Sequence, residues 1–174
     1  GDLGAYGSRT IRSPHLDRLA SEGTRFTSFY VAQPVCSASR AALLTGMHEF
    51  RSGVTHTQHP RVNLPYDPTT LPELLATAGY RTGFVGKWHL GKPPSGHGFE
   101  WCSTNQGGPF EHFDPMMVRN GTKTKETGYR EDIYFNDAMN FISETKDQPW
   151  FMYLSTYSPH DPLKAPEEFV APFR

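Results

Sequence analysis

The sequence is short of cysteine, of net charge and of long apolar runs, and each shortage removes a class of protein. Two cysteines in 174 residues, Cys36 and Cys102, are too few for a disulfide scaffold; they read as free thiols, or as one disulfide in an oxidising compartment. A formal net charge of -1 supplies no bulk attraction to nucleic acid or to an anionic membrane, so any anion selectivity has to be local. The apolar stretches stop at strand length, and none reads as a membrane-spanning segment or a signal peptide. The first residue is Gly1 and not Met, so the start of the gene product is expected to lie upstream. No internal repeat or low-complexity tract is visible. What is present, 36% apolar and 13% aromatic residues, suffices for one sizeable core in a chain of single-domain size.

Helix and strand signals alternate along the chain. Ser13-Pro14 reads as a cap and first turn, Leu16, Leu19 and Ala20 as an apolar stripe and Gly23 as a stop, which predicts a helix over about 14–22. Arg25 to Val31, rich in aromatic and β-branched residues, predicts a strand. A loop through Gln33-Pro34 then presents Cys36, and a short helix is expected from Ser39 to Thr45, closed by Gly46. Thr70-Leu71-Pro72-Glu73 is a capping box, followed by Leu71, Leu74, Leu75 and Ala78 on one face. A strand over 80–85, long loops with one short hairpin between Lys92 and Gly128, a helix over 130–145 and a buried strand over 150–155 complete the pattern. Cys102 falls in the loop-rich part and reads as structural. Alternating elements with uninterrupted apolar strands predict an α/β fold, a parallel or mixed central sheet with helices on both faces.

Three clusters that could carry chemistry each follow a predicted strand, where sites of such folds form. Cys36-Ser37-Ala38-Ser39-Arg40 sets a thiol, two hydroxyls and a permanent cation at a helix start, where unpaired N–H groups and the dipole favour an anion; the same small residues could serve only as caps. Gly86-Lys87-Trp88-His89-Leu90-Gly91 places Lys and His two apart, on one side of the chain if the backbone is extended. Ser158-Pro159-His160-Asp161-Pro162 holds one imidazole between two prolines that restrict the backbone.

Taken together and in this order, the three clusters resemble the signatures of the type I, formylglycine-dependent sulfatases of the alkaline phosphatase superfamily. Cys36-Ser37-Ala38-Ser39-Arg40 resembles the motif Cys-x-Pro/Ala-x-Arg, Gly86 to Gly91 the second signature, and Pro159-His160 with its preceding strand the third. The resemblance runs from Gly1-Asp2-Leu3-Gly4-Ala5-Tyr6-Gly7 to the end of the chain and identifies residues 1–174 as the N-terminal part of one catalytic domain.

The resemblance implies hydrolysis of sulfate esters. Cys36 would be oxidised to formylglycine, whose hydrate offers one hydroxyl to attack sulfur and a second whose deprotonation expels sulfate. Arg40 would stabilise that diolate, Lys87 would contact it and a sulfate oxygen, His89 would hydrogen-bond one of its hydroxyls, and His160 would protonate the departing alcohol. Charge on the peripheral oxygens of a sulfuryl group in flight explains the need for fixed cations, and an imidazole can donate a proton near neutral pH. The implied partners are a sulfated small molecule or glycan and a maturation enzyme of the formylglycine-generating or radical type, with no nucleic acid and no membrane segment. A periplasmic, secreted or lysosomal location is expected of such a family.

The resemblance also implies a divalent cation, usually Ca²⁺, held by an Asp pair and an Asp-Asn pair with no counterpart in this sequence, so only residue 36, as formylglycine, would remain as a metal ligand. The chain is therefore expected to be an incomplete piece of its fold and inactive alone. Ala38 stands where the family more often has Pro, which bears on how the cysteine is matured. Two alternatives stay open: a phosphonate or phosphate ester hydrolase of the same superfamily, and a non-catalytic binder of sulfated glycans. Asn120-Gly121-Thr122 matches a glycosylation sequon. His56, His59, His97 and His112 read as exposed loop residues near the mouth of the pocket.

Overall fold

The computed structural model describes residues 2–57, 62–65, 67 and 69–174, so His59 lies outside the described residues. The chain forms two compact units, Gly1–Val31 and Ala32–Arg174.

In the first unit a single 3-10 turn, Gly4–Tyr6, precedes helix α1, Pro14–Glu22, which begins with Pro in its first turn and stops at Gly23 as expected. Ser13 does not cap the helix with its side chain; its hydroxyl accepts from Gly4 N–H at 2.8 Å and donates to Asp17 Oδ1 at 3.0 Å. Residues 25–31 form no strand, against the sequence expectation. Aromatic and β-branched residues favour a strand only where a neighbour receives them, and here Phe26, Phe29, Tyr30 and Val31 are exposed, with no paired strand among the described residues.

The second unit is built on a mixed five-stranded sheet in the order β4-β3-β2-β1-β5. Helix α2 spans Cys36–Thr45, α3 spans Glu49–Ser52, and α4 spans Leu71–Thr77 behind a complete Thr70/Glu73 capping box. Strand β1, Arg81–Gly86, pairs in parallel with β2, Trp101–Asn105, and with β5, Trp150–Ser155. The hairpin of β3, Met116–Arg119, and β4, Thr122–Lys125, is added antiparallel to β2. It turns on Asn120 and Gly121, whose φ values of 47 and 85 suit those two residue types. Helix α5, Arg130–Thr145, leads into β5, and α6, Glu167–Val170, follows it.

Strand alternation distributes the core to both faces. Phe84 points into a cluster with Ala41 and Leu44 of α2, Trp88, Leu90, Phe99 and Cys102, while its neighbour Val85 joins Met117, Tyr134 and Ala138 on the α5 side. Gly83 lies on the α5 side too, where a Cβ would stand 2.7 Å from Met152 Cε and 2.9 Å from Phe141 Cζ, so the missing side chain lets α5 approach the sheet. Cys102 therefore belongs to β2 and not to a loop, and burial in the first cluster pushes its thiol up to about 12. Its polar neighbours hid the strand from sequence reasoning. They are buried but paired: Ser103 Oγ donates to Asp137 Oδ2 at 2.5 Å, and Asn105 Oδ1 accepts from Tyr134 Oη at 2.7 Å. His97 and His112 are likewise buried, at 0% and 3% exposure, and not the exposed loop residues expected. No helix among the described residues is long and apolar enough to cross a membrane.

Candidate active site

The parallel strands β1 and β5 end side by side, Gly86 opposite Ser155, and both then enter chemistry-bearing loops. Gly86 makes this possible: at φ 107 it swings the chain so that Lys87 N–H donates to Ser155 O at 2.7 Å. A Cβ at Gly86 would lie 2.0 Å from that same carbonyl oxygen.

Cys36 is not delivered by a loop ahead of the helix; it is the first residue of α2, with Val35 as the flanking residue. The helix is docked at this end by Ser37, whose hydroxyl donates to His89 O at 2.7 Å, and by Arg40, whose Nη1 donates to Lys87 O at 2.7 Å and Ser155 Oγ at 2.5 Å. Arg40 Nε is buried without a hydrogen-bond partner among the described residues. A permanently charged donor left open beside a thiol fits an anion.

Around the Cys36 sulfur stand His89, whose Nδ1 lies 3.2 Å from Sγ, and Lys87, whose ammonium interacts electrostatically with the same sulfur. Their convergence does not come from an extended backbone, as the sequence suggested: His89 has φ 56, a left-handed conformation costly for a residue with a Cβ. Burial holds the Lys87 ammonium below the ordinary lysine range, with the Arg40 charge adding to the effect and the Cys36 sulfur opposing it. Burial, then the Lys87 and Arg40 charges, push His89 down from its usual value, so its ring is neutral at pH 7.

His160 sits on the loop after β5 and is exposed; its charge is felt at His89. Its Nδ1 lies 2.6 Å from Asp161 O, and since a carbonyl can only accept, Nδ1 carries the hydrogen there and Nε2 is left to hold or give a second proton. A pocket of about 310 Å³ beside it is walled by Tyr129, Pro159, Leu163 and Ala165 with Lys164 on its edge. The structure thus brings Cys36, Arg40, Lys87 and His89 into one cluster with His160 at its rim.

Sequence reasoning missed Ser155, which anchors Arg40, and Tyr157, whose ring centroid lies 5.5 Å from Lys87 Nζ and 4.6 Å from the Arg130 guanidinium carbon. The only signal for either was position, at or just beyond the end of β5, which is half-buried and not the buried strand expected. Among the described residues no group of three or more His, Cys, Asp or Glu is placed to hold a metal. Calcium seeks six to eight oxygen ligands, and the groups that surround the thiol are an ammonium, a guanidinium and an imidazole. These residues alone do not fit that ion; they fit an anion.

Comparison with known proteins agrees with this geometry. The sequence profile described as Sulfatase matches residues 1–174. The chain is 37% identical over 208 residues to N-acetylgalactosamine-6-sulfatase of Homo sapiens, covering 98% of this chain and 39% of that protein. It is 33% identical over 159 residues to N-acetylglucosamine-6-O-sulfatase of Bacteroides thetaiotaomicron, covering 91% of this chain and 28% of that protein. Among solved structures it superposes on Ps i-CgsB with a TM-score of 0.89 at 34% identity, covering 99% of this chain and 45% of the other. A protein solved in complex with its substrate D-glucosamine-2-N,6-O-disulfate gives a TM-score of 0.82 at 34% identity, covering 91% of this chain and 32% of the other. The chain thus spans 39% of the length of the N-acetylgalactosamine-6-sulfatases it matches. Family profile, relatives and fold coincide: this chain belongs to the Sulfatase family and carries part of its α/β, alkaline phosphatase-like fold.

Proposed function

We propose that the full-length protein carrying this chain hydrolyses sulfate esters at residue 36, with Cys36 in its oxidised, formylglycine form. The observation that supports this best is the convergence of Lys87 and the His89 ring on the Cys36 sulfur, with Arg40 held beneath by the ends of β1 and β5. In the structure the thiol stands in for the oxygens of the modified residue. Bound there, the aldehyde hydrate supplies a hydroxyl nucleophile and a second hydroxyl whose deprotonation releases sulfate.

This chain's own residues do the rest. Neutral His89 accepts a hydrogen bond at Nδ1 from a hydroxyl at position 36. The arrival of an oxyanion favours the charged form of Lys87, offsetting the burial that lowers its pKa, so the ammonium is strongest when charge develops. Arg40 cannot lose its proton and offers Nε to the same region. His160, with Nδ1 occupied by Asp161 O, presents Nε2 as the proton source for the leaving alcohol. Calcium would need oxygen ligands from outside the described residues.

Two relatives are named for 6-sulfated amino sugars, which supports a carbohydrate sulfate as substrate class. The test is parallel turnover of the sulfate and phosphate monoesters of one alcohol by the full-length protein and its Cys36→Ala variant, with intact-mass analysis of residue 36. Sulfate turnover that is abolished in the variant, and a mass in which sulfur and two hydrogens are replaced by oxygen, is the expected result. An unmodified thiol in active protein, faster turnover of the phosphate ester, or activity that survives Cys36→Ala overturns the reading. Binding of a sulfated glycan without turnover points to the non-catalytic alternative.

A further inference from the structure

The first two residues of α5 form a buried ion pair that the mechanism has not used. Arg130 is fully buried: Nη1 donates to Gly108 O at 2.9 Å and Glu111 O at 3.1 Å, while Nε and Nη2 donate to Glu131 Oε1 at 3.1 and 2.8 Å. The same Glu131 oxygen accepts from Ser158 N–H at 3.2 Å and Ser158 Oγ at 3.1 Å. The turn so gripped is closed by His160 N–H donating to Tyr157 O at 2.8 Å, and the Arg130 guanidinium lies under the Tyr157 ring that faces Lys87. Beyond the turn, the Pro162 backbone lies against the buried His112, whose own carbonyl accepts from Arg130 N–H at 2.8 Å.

A buried ion pair is a weak source of stability, because desolvation of both charges cancels much of their attraction; such pairs are better explained where they fix a geometry. Here the geometry fixed is that of His160. Its side chain is exposed and, among the described residues, hydrogen-bonds to its neighbour's carbonyl alone, so its position depends on the turn that carries it.

We propose that Glu131, held by Arg130, is a positioning residue that anchors the Tyr157–His160 turn and thereby aims His160 at the leaving alcohol; this rests on the sulfatase reading above. Without the carboxylate, Ser158 N–H loses its acceptor and the hydroxyl keeps only its 3.2 Å contact with Tyr129 Oη, so the turn is held less tightly, and a misplacement of about 1 Å can cost on the order of 10²-fold in rate.

The experiment uses the full-length protein and two sulfate esters that differ in their need for a proton. An alkyl or sugar sulfate requires protonation of its leaving oxygen, whereas 4-nitrophenyl sulfate departs as a stable phenolate. Glu131→Ala is expected to lower kcat/KM on the alkyl ester by roughly 10- to 100-fold, with a loss on the nitrophenyl ester about tenfold smaller. Glu131→Gln keeps an acceptor oxygen for Ser158 and is expected to recover most of the alkyl rate. Ser158→Ala, which removes one of the two bonds, should show a weaker selective loss and serves if Glu131→Ala does not fold. Equal losses on both esters, or none on either, overturn the proposal. His160→Ala is the reference: selective loss there without selective loss in the Glu131 variants sinks the positioning role alone, whereas no selective loss in His160→Ala sinks the assignment of His160 as the acid and the proposal with it.

Discussion

Replacing Gly86 by Ala tests the junction on which the site hangs. The added methyl would stand 2.0 Å from Ser155 O, against about 3.3 Å for a close carbon–oxygen contact, so β1 and the end of β5 must separate by over about 1 Å. That motion breaks the Lys87 N–H to Ser155 O bond of 2.7 Å and disturbs Ser155 Oγ, which receives Arg40 at 2.5 Å. Backbone strain at φ 107 adds about 1–2 kcal/mol and the lost hydrogen bond about 1 kcal/mol, and the steric term brings the total to roughly 3–4 kcal/mol. Gly79→Ala is the internal control: φ is 86 and no atom lies within 4 Å of the added carbon, so only the backbone term of about 1–2 kcal/mol applies. Urea unfolding of the two variants in the full-length protein, beside kcat/KM on a sulfate ester, reads both consequences. Gly86→Ala should unfold at distinctly lower urea than Gly79→Ala and lose on the order of 10²-fold in activity. Equal stabilities and unimpaired turnover would refute the claim that this contact sets the site.

Three further outcomes are expected. Lys87→Ala should lower kcat by about 10²- to 10³-fold with a smaller effect on KM, because its charge matters most as the sulfuryl oxygens gain charge; a change confined to KM in steady-state kinetics would contradict this. His89, His97 and His112 all have pKa values lowered by burial first, so the unfolded chain binds more protons than the folded one below the ordinary histidine value. Stability should therefore be full above about pH 6.5 and fall as pH drops from there toward the depressed folded values; a melting temperature flat between pH 7 and 5, or rising on acidification, would contradict the sign. Asn120→Ala removes the acceptor for Cys102 N–H, a bond of 2.8 Å, and places Ala at φ 47, so a loss of about 1–2 kcal/mol is expected in thermal melting; an unchanged melting temperature would show that the hairpin turn needs neither.

Elements whose signals are local were legible. The capping box before α4, the boundaries of α5 and the apolar run of β5 each depend on residues within a few positions of one another, and the structure has all three. Elements that depend on a partner were not. Trp101–Asn105 becomes a strand because Asp137 and Tyr134, 34 and 29 residues away, satisfy its polar side chains; Arg25–Val31 has strand composition but no pairing partner among the described residues.

The same division runs through the site. Cys36, Arg40, Lys87 and His89 were legible because each lies in a short motif, and the structure adds how they meet: strand ends in register, a glycine at φ 107 and a histidine at φ 56 bring positions 53 residues apart within 3.2 Å. Tyr157, Ser155 and Glu131 carry no motif, since a tyrosine, a serine or a glutamate acquires meaning only from what faces it. Ser155 meets Arg40 across 115 residues of sequence and Glu131 meets Ser158 across 27. Charge in this site is therefore arranged in two tiers. Motif residues surround the Cys36 sulfur, and a dispersed set, anchored on the first turn of α5 and the end of β5, holds their backbone. The second tier is where a substitution would leave every motif intact and still misplace His160, the proposed proton donor, which is why the leaving-group comparison separates the two.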